Sequence, residues 1–136
     1  MAGHVMRRAT PEIQSILGDA VRYHQAGRLD EAIARYRQAL VLDPEYVGVH
    51  NNLGSALFEQ GKLEEAEASY RRALKFGPGD AEAHSNLGTV FYQQGKLGQA
   101  VASYGEALAL QPDHAEAHAN LGTALFSLGQ VEDALA

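Results

Sequence analysis

Histidine is the residue type in this chain with the broadest chemistry, since an imidazole ring can bind a metal ion or exchange a proton near neutral pH. Three of the six histidines, His50, His84 and His118, are spaced 34 residues apart. Equivalent residues on neighbouring packed helices lie roughly 10 Å apart, whereas zinc ligands sit about 2 Å from the metal. His114 and His118 form an i, i+4 pair, but no third ligand follows at a convincing spacing. The sequence therefore predicts no metal site.

Nucleophilic and phosphate-binding motifs are also missing from the sequence. There is no cysteine, and the serines lie within helical patterns without the flanking glycines of a nucleophile elbow. The glycines recur at predicted helix ends, which indicates a structural role and not a phosphate-binding loop. We therefore expect no catalytic residue, no cofactor and no enzymatic activity.

The asparagines belong to a wider repeat with a period of 34 residues. Asn52, Asn86 and Asn120 keep that spacing, and a proline, a glycine, an alanine and a tyrosine of each period do the same. Such a period is typical of a stacked array of identical structural units. A stacked array offers an extended surface and no central cleft, so the polar residues that recur on that surface are the candidates for binding.

Each period reads as two helices joined by a short turn. Apolar or small residues follow helical spacing up to a glycine such as Gly61, and a second helical run ends before a proline such as Pro78. Asp43, Asp80 and Asp113 are available to cap the following helix. Small residues, including Gly54 and Ala66, let the two helices approach closely. The predicted first helices are 11–26, 45–60, 79–94 and 113–128, and the second are 29–42, 63–76, 97–110 and a short segment from about 131.

Charge and composition exclude other classes of protein. The net charge is −6, and after residue 75 one basic residue stands against seven acidic ones, so there is no basic stripe for nucleic acid. No apolar run is long enough to span a membrane. The first eight residues are too short and too weakly apolar for a signal peptide. We expect a cytoplasmic protein that binds neither nucleic acid nor a membrane.

The repeat pattern resembles the tetratricopeptide repeat (TPR), and the segment from Asn51 to Ala66 matches it well. The resemblance implies an all-α, right-handed solenoid of antiparallel helix pairs, with about three and two-thirds repeats. An N-terminal extension and helix start at 1–12 precedes repeats at 13–46, 47–80 and 81–114 and a partial repeat at 115–136, cut within its second helix, all in one domain. The large aromatic residue near the start of the family's first helix is replaced by histidine.

In that family the first helix of each pair lines a concave groove. The resemblance implies ligand-binding residues that are mostly polar and nearly uncharged, with an aromatic stripe: Asn51, Asn52, Ser55, Phe58, Glu82, Asn86, Thr89, Tyr92, Glu116, Asn120, Thr123 and Phe126. The basic clamp that holds chaperone tails is missing, since its basic positions hold Gly48, Glu82 and Ser85. The asparagines are similar to the ladder of O-linked N-acetylglucosamine transferases, but they could equally cap or bridge helices. Both interpretations stay open.

We expect a non-catalytic scaffold that binds an extended protein or peptide segment in the groove. Two alternatives are the substrate-targeting arm of a larger enzyme, such as a glycosyltransferase, and a self-assembly module that stacks end to end. Because the sequence stops early in the fourth repeat, Leu121, Leu125 and Phe126 should lose cover. We therefore expect the last repeat to fray or to form a homo-oligomer.

Overall fold

The computed structural model describes residues 10–135, and over that range it contains seven α-helices and no strand. Residues 1–9 of the predicted N-terminal extension and residue 136 lie outside the described residues. The predicted all-α class is confirmed, and the first six helices begin and end within two residues of their predicted bounds. The helices are α1 Pro11–Gln25, α2 Leu29–Leu42, α3 Val47–Glu59, α4 Leu63–Phe76, α5 Ala81–Gln93, α6 Leu97–Leu110 and α7 Ala115–Leu135.

The chain divides into two compact units between Phe76 and Gly77. In the N-terminal unit α1 packs on α2, α2 on α3 and α3 on α4. In the C-terminal unit α5 packs on α6, and α7 packs mainly on α6 and more lightly on α5. Each unit therefore consists of helices that are consecutive along the chain.

The turns inside the helix pairs depend on glycine. Gly27, Gly61 and Gly95 have φ angles of 76°, 79° and 78°, in the left-handed region where a side chain would be strained. The residue after each glycine donates its backbone N–H back to the helix, as in the 2.9 Å bond from Lys62 to the carbonyl of Leu57. This bond satisfies a carbonyl at the helix end and reverses the chain within three residues.

A glycine–tyrosine contact sets the distance between the two helices of a pair. A Cβ atom on Gly54 would lie 2.7 Å from the ring of Tyr70, and one on Gly88 would lie 2.8 Å from the ring of Tyr104. Both rings are buried, with 3% and 2% of their surface exposed. Since no Cβ atom fits between backbone and ring, only glycine allows the helices to come this close.

The seventh helix differs from the prediction. We expected a helix end near Gly129 and a new helix from about 131, and this expectation is wrong because α7 runs unbroken from Ala115 to Leu135. In the pairs α3–α4 and α5–α6 the second helix folds back and places its tyrosine on the glycine of the first. A Cβ atom on Gly122 would meet nothing within 4 Å, so no described residue takes that place. Without that contact, continued helical hydrogen bonds satisfy the backbone best.

The predicted capping acids behave differently from one another. Asp80 caps α5 as expected, since its carboxylate accepts the N–H groups of Glu82 and Ala83 at 3.1 and 3.3 Å. Asp43 is buried in the turn before α3, where it accepts the N–H of Glu45 at 3.3 Å. At the start of α7 the capping group is the Nδ1 atom of His114, which accepts the N–H of Ala117 at 3.2 Å. These polar contacts fix where each pair begins.

The contrast between Gly88 and Gly122 gives a paired test of the packing. Gly88→Ala forces a methyl group against a buried ring, and overpacking of this kind costs about 1–3 kcal/mol, more than the roughly 1 kcal/mol that alanine gains in helix propensity. In Gly122→Ala the added methyl group meets open space, so only the gain in helix propensity remains. Urea unfolding should show a lower midpoint for Gly88→Ala and a higher one for Gly122→Ala. Equal shifts of the same sign would contradict the packing role of Gly88.

Candidate functional site

A cavity lies in the C-terminal unit between α5, α6 and α7. Its volume is about 170 Å³. Four of the residues predicted from the sequence come together here, from two different helices. The cavity is lined by Thr89, Tyr92, Gln93, Tyr104, Asn120 and Thr123. All six carry a hydroxyl or amide group and none carries a charge at neutral pH, so the cavity suits neutral polar groups of a ligand.

The hydroxyl groups of the cavity are already paired within the protein. The hydroxyl of Thr89 donates to the carbonyl of Ser85 at 3.3 Å, which leaves Tyr104 to donate its own hydroxyl hydrogen to Thr89 at 2.9 Å. Burial raises the pKa of Tyr104, the hydrogen bond with Thr89 lowers it, and the charge of the nearby Glu116 raises it further. The phenol therefore stays protonated at neutral pH. These hydroxyls hold the cavity walls in place.

The amide groups differ from the hydroxyl groups in their hydrogen bonding. Asn120 is half-buried and Gln93 is exposed at the cavity. Among residues 10–135, the side-chain amides of Asn52, Asn86 and Asn120 form no hydrogen bond with the protein. Each amide therefore has a donor and an acceptor that no described residue uses.

The other predicted site residues differ in how much of their surface is exposed. Asn51 is buried, with 8% of its surface exposed, so it offers little to a ligand. In the N-terminal unit Asn52 is exposed, and half-buried Ser55 donates to Glu59 at 3.4 Å. Phe58 and Tyr92 are half-buried, whereas Phe126 is 69% exposed. Glu82 and Glu116 are both exposed on the first turn of their helices.

Sequence reasoning missed a hydrogen bond that recurs between neighbouring repeats. The ring of His24 on α1 is 2.6 Å from the carboxylate of Glu59 on α3, and the hydroxyl of Tyr92 on α5 is 2.9 Å from that of Ser127 on α7. The two pairs occupy equivalent positions of the repeat. Tyr92, one of the three residues of the aromatic stripe (Phe58, Tyr92 and Phe126), thus contacts the first helix of the next repeat. This residue joins two neighbouring first helices as well as lining the surface.

Tyr104 was also missed as part of the site. It recurs with Tyr36 and Tyr70 at the 34-residue spacing. Its ring is in the core, yet its hydroxyl end reaches the cavity. The signal that could have found it is chemical: a buried phenol needs a hydrogen-bond partner. In the N-terminal unit the hydroxyl of Tyr36 is 3.0 Å from His24, and burial, followed by the charge of Glu59, raises the pKa of Tyr36.

Two of the three recurring histidines, His50 and His118, hold the turns before their helices. The Nε2 atom of His50 lies 2.7 Å from the carbonyl of Pro44, and that of His118 lies 2.7 Å from the carbonyl of Pro112. His50 is buried and stacks on Phe76 with ring centres 5.9 Å apart. Its Nδ1 atom is buried and has no hydrogen-bond partner among the described residues. Burial lowers the pKa of His50, and the charge of Arg72 acts in the same direction, against the proline bond and Asp43.

The part of the chain that the structure describes was examined for groups of metal-binding side chains and for helices that could span a membrane. Within residues 10–135, no three histidine, aspartate or glutamate side chains are grouped so that they could hold a metal ion. His114 and His118 use ring nitrogens to hold the backbone at the start of α7. None of the described helices is both long enough and apolar enough to cross a membrane.

A family model described as TPR repeat matches the chain three times, at residues 18–61, 54–95 and 88–129. These matches together reach from the middle of α1 into α7. No curated protein has a sequence that matches this chain.

Several solved structures share the fold. The first TPR of Spaghetti (RPAP3), bound to the HSP90 peptide SRMEEVD, is 26% identical, with a TM-score of 0.83 over 86% of this chain and 93% of that one. A mutant of the O-GlcNAc transferase of Thermobaculum terrenum is 29% identical, with a TM-score of 0.80 over 88% of this chain and 23% of that one. The Sgt2 TPR domain from Aspergillus fumigatus is 20% identical and shares the fold, with a TM-score of 0.87 over 91% of this chain and 83% of that one.

The environment of His50 predicts acid sensitivity. Because its pKa is lower in the folded state than the value of about 6.5 in an unfolded chain, the unfolded state binds more protons, and stability falls as the pH drops below about 6.5. His50→Gln should reduce the loss of stability between pH 7.5 and pH 5.5, measured by urea unfolding at both values. His118→Gln removes the equivalent bond to a proline carbonyl at an exposed site and is the matched control. An unchanged pH dependence in His50→Gln would contradict the role of its burial.

Proposed function

Because the chain belongs to the TPR repeat family, we propose that it is a non-catalytic interaction scaffold that binds an extended segment of a protein or peptide. The cavity of the C-terminal unit is the observation that carries this proposal. It brings Thr89, Tyr92, Asn120 and Thr123 together, with the amide of Asn120 free of bonds to described residues. A peptide main chain offers the N–H and C=O groups that such an amide pairs with.

The size of the cavity favours part of a peptide over a small molecule. Pockets for drug-sized ligands or cofactors measure about 300–1,000 Å³, and this one measures about 170 Å³. A side chain or a short stretch of main chain fits that space. Asn86 and Asn120 lie on neighbouring first helices, which are roughly 10 Å apart, and an extended peptide advances about 3.3 Å per residue. The two amides would therefore meet about every third residue.

Charge favours neutral or basic ligands. Glu82 and Glu116 are exposed, and neither α5 nor α7 contains a lysine or arginine. The HSP90 peptide in the structure of Spaghetti has three acidic residues, whereas the basic clamp positions of this chain hold Gly48, Glu82 and Ser85. The likeness to that structure supports peptide binding, and the charge supports a ligand of a different kind. We infer a preference for basic segments.

The N-terminal unit offers equivalent residues on α3. Asn52 is exposed and Ser55 and Phe58 are half-buried there. A cavity of about 240 Å³ in this unit is lined by other residues, among them Leu53 and Arg72. We propose that Asn52 binds main chain as Asn86 and Asn120 do.

A role without catalysis is supported by how the histidines are used. His50 and His118 hold proline carbonyls, and His24 lies between Tyr36 and Glu59. These rings already serve the fold, and the phenols of Tyr36 and Tyr104 have raised pKa values that keep them protonated. The cytoplasmic location expected from the sequence stays a prediction.

The exposed apolar residues of α7 favour self-association as a second use of the chain. Phe126, Val131 and Leu135 are 69%, 46% and 83% exposed. Val131 and Leu135 are one turn apart and share a side of α7, whereas Phe126 lies nine residues before Leu135 and so on the opposite side. Apolar residues that share an exposed surface favour contact with another molecule. We propose that a second copy covers Val131 and Leu135, so that the chain forms homo-oligomers through its last helix.

A second candidate function is the targeting arm of a larger enzyme. The observation that favours it is the 29% identity to the O-GlcNAc transferase of Thermobaculum terrenum, of which this chain spans 23%. In that case the same amides would hold the substrate protein while a separate domain acts on it. Sequencing the reading frame beyond residue 136 tests this candidate, since it requires a catalytic domain there.

The asparagines provide the test of peptide binding. A fluorescent peptide with the repeated sequence Lys-Ser-Val, four times over, is basic and favours an extended conformation. Replacing Asn52, Asn86 and Asn120 with alanine should weaken its binding about fivefold for each amide, since a hydrogen bond contributes about 1 kcal/mol. Fluorescence anisotropy measures the affinity, and the thermal midpoint of unfolding should stay nearly unchanged.

Two controls sharpen this test. Gln99→Ala removes an exposed amide from α6, outside the site, and should bind the peptide normally. A peptide with glutamate in place of lysine should bind more weakly. If the triple variant unfolds at a much lower temperature, or binds as well as the unchanged chain, the asparagines do not form a ligand site.

A further inference from the structure

The cavity of about 240 Å³ in the N-terminal unit lies on a different surface from the residues proposed to bind main chain. It is lined by residues of α2, α3 and α4. Its lining residues on α3 are Leu53 and Leu57, which are four residues apart and so share one side of that helix. Asn52 and Ser55, the predicted groove residues of α3, do not line it. The cavity is therefore a separate feature of this unit.

The buried part of the cavity combines apolar surface with a hydroxyl group. Leu53 and Leu57 are 6% and 2% exposed, and Ser69 of α4 is 2% exposed. Among residues 10–135, the hydroxyl of Ser69 forms no hydrogen bond. The hydroxyls of Thr89 and Thr123 instead donate to the carbonyl four residues earlier, which is the usual partner within a helix. The hydroxyl of Ser69 is thus a donor at the cavity that no described residue uses.

The charged residues of the cavity come from two helices. Arg37 of α2 and Glu65 of α4 are joined by a contact of 3.4 Å, with 56% and 53% of their side chains exposed. Such exposed ion pairs contribute little stability, so the guanidinium of Arg37 can turn to another partner. Arg72 of α4 is exposed and forms no ion pair with a described residue. Two guanidinium groups at one cavity are therefore available to an anion.

We propose that this cavity binds a glutamate side chain of a partner protein. The methylene groups of the glutamate lie on Leu53 and Leu57, which removes apolar surface from water. Its carboxylate accepts hydrogen bonds from the guanidinium groups of Arg37 and Arg72 and from the hydroxyl of Ser69. The volume of about 240 Å³ is below that of pockets for drug-sized ligands, which favours a single side chain.

The apolar part of the cavity favours a carboxylate over a phosphate group. A phosphate group has no methylene groups of its own, so it would leave the two leucines uncovered. A glutamate side chain carries both an apolar stem and a charged end, as the cavity does. The expected partner is therefore an acidic protein segment, in contrast to the basic segment proposed for the asparagines.

The repeat itself does not require an arginine at position 72. The equivalent position is Gln38 in the preceding repeat and Glu106 in the following one. Both of these residues lie within helices, as Arg72 does. The packing of the repeat therefore accepts glutamine at this position, and Arg72→Gln is expected to fold.

The experiment is a nuclear magnetic resonance titration of the 136-residue chain with the peptide acetyl-Ala-Ser-Glu-Ser-Ala-amide. Its blocked ends leave the glutamate as its only charge. The backbone amide signal of Ser69 and the Nε–H signals of Arg37 and Arg72 should shift together and saturate. A peptide with glutamine in place of glutamate should bind roughly tenfold more weakly or worse, since hydrogen bonds to charged groups are the stronger ones.

A matched pair of variants separates the cavity from the general charge of α4. Arg72→Gln should weaken binding of the glutamate peptide roughly tenfold, because it removes a charged donor from the cavity. Arg71→Gln removes the same charge from the neighbouring position, which does not line the cavity, and should weaken binding less than about twofold. Ser69→Ala removes the hydroxyl and should weaken binding about fivefold.

Four results would overturn the proposal. The first two are the absence of saturable shifts at the cavity and equal binding of the glutamate and glutamine peptides. Equal weakening by Arg72→Gln and Arg71→Gln is the third, because it would indicate attraction to overall charge. The fourth is tighter binding of a peptide with phosphoserine in place of glutamate, which would assign the cavity to phosphate groups. Main-chain binding at Asn52 is tested separately, since the glutamate and glutamine peptides share the same main chain.

Discussion

The fold depends on how closely two helices of a pair can approach, and a tyrosine ring against a glycine backbone determines that distance. Gly54 with Tyr70 and Gly88 with Tyr104 leave no room for a single Cβ atom. The alanines beside them, such as Ala66 and Ala100, are fully buried. Because interiors of proteins are close-packed, this contact fixes the rotation of α3 and α5 and so decides which of their side chains face outward.

The candidate site follows from that rotation. The ring of Tyr104 packs on Gly88, and its hydroxyl, bonded to Thr89, reaches the cavity that Asn120 lines. One residue therefore serves both the core and the site. The hydroxyls are paired inside the protein, while the asparagine amides are not, which separates the groups that hold the surface from those available to a ligand. A weak, sequence-tolerant interaction with main chain is what such a surface supports.

Much of the fold and part of the candidate site could be predicted from the sequence, because the repeat places equivalent residues in equivalent surroundings. The period predicted the helices and the glycine turns, and the resemblance to the TPR family supplied four of the six residues around the cavity. The turn expected at Gly129 was wrong, since a glycine permits a turn and the packing of a following helix stabilises it. The burial of Asn51 and the hydroxyl of Tyr104 at the cavity depend on helix rotation. The bond between Tyr92 and Ser127 depends on contacts between repeats, which spacing alone does not specify.

The central claim is that the amides of the first helices bind the main chain of a partner. Nuclear magnetic resonance tests it directly, because each asparagine side chain gives its own pair of amide signals. During titration with the Lys-Ser-Val peptide, the side-chain signals of Asn86 and Asn120 should shift together and saturate. Those of Asn51, which is 8% exposed, should stay in place. Saturable shifts confined to residues of α6 such as Gln99, with the signals of Asn86 and Asn120 unchanged, would contradict the account.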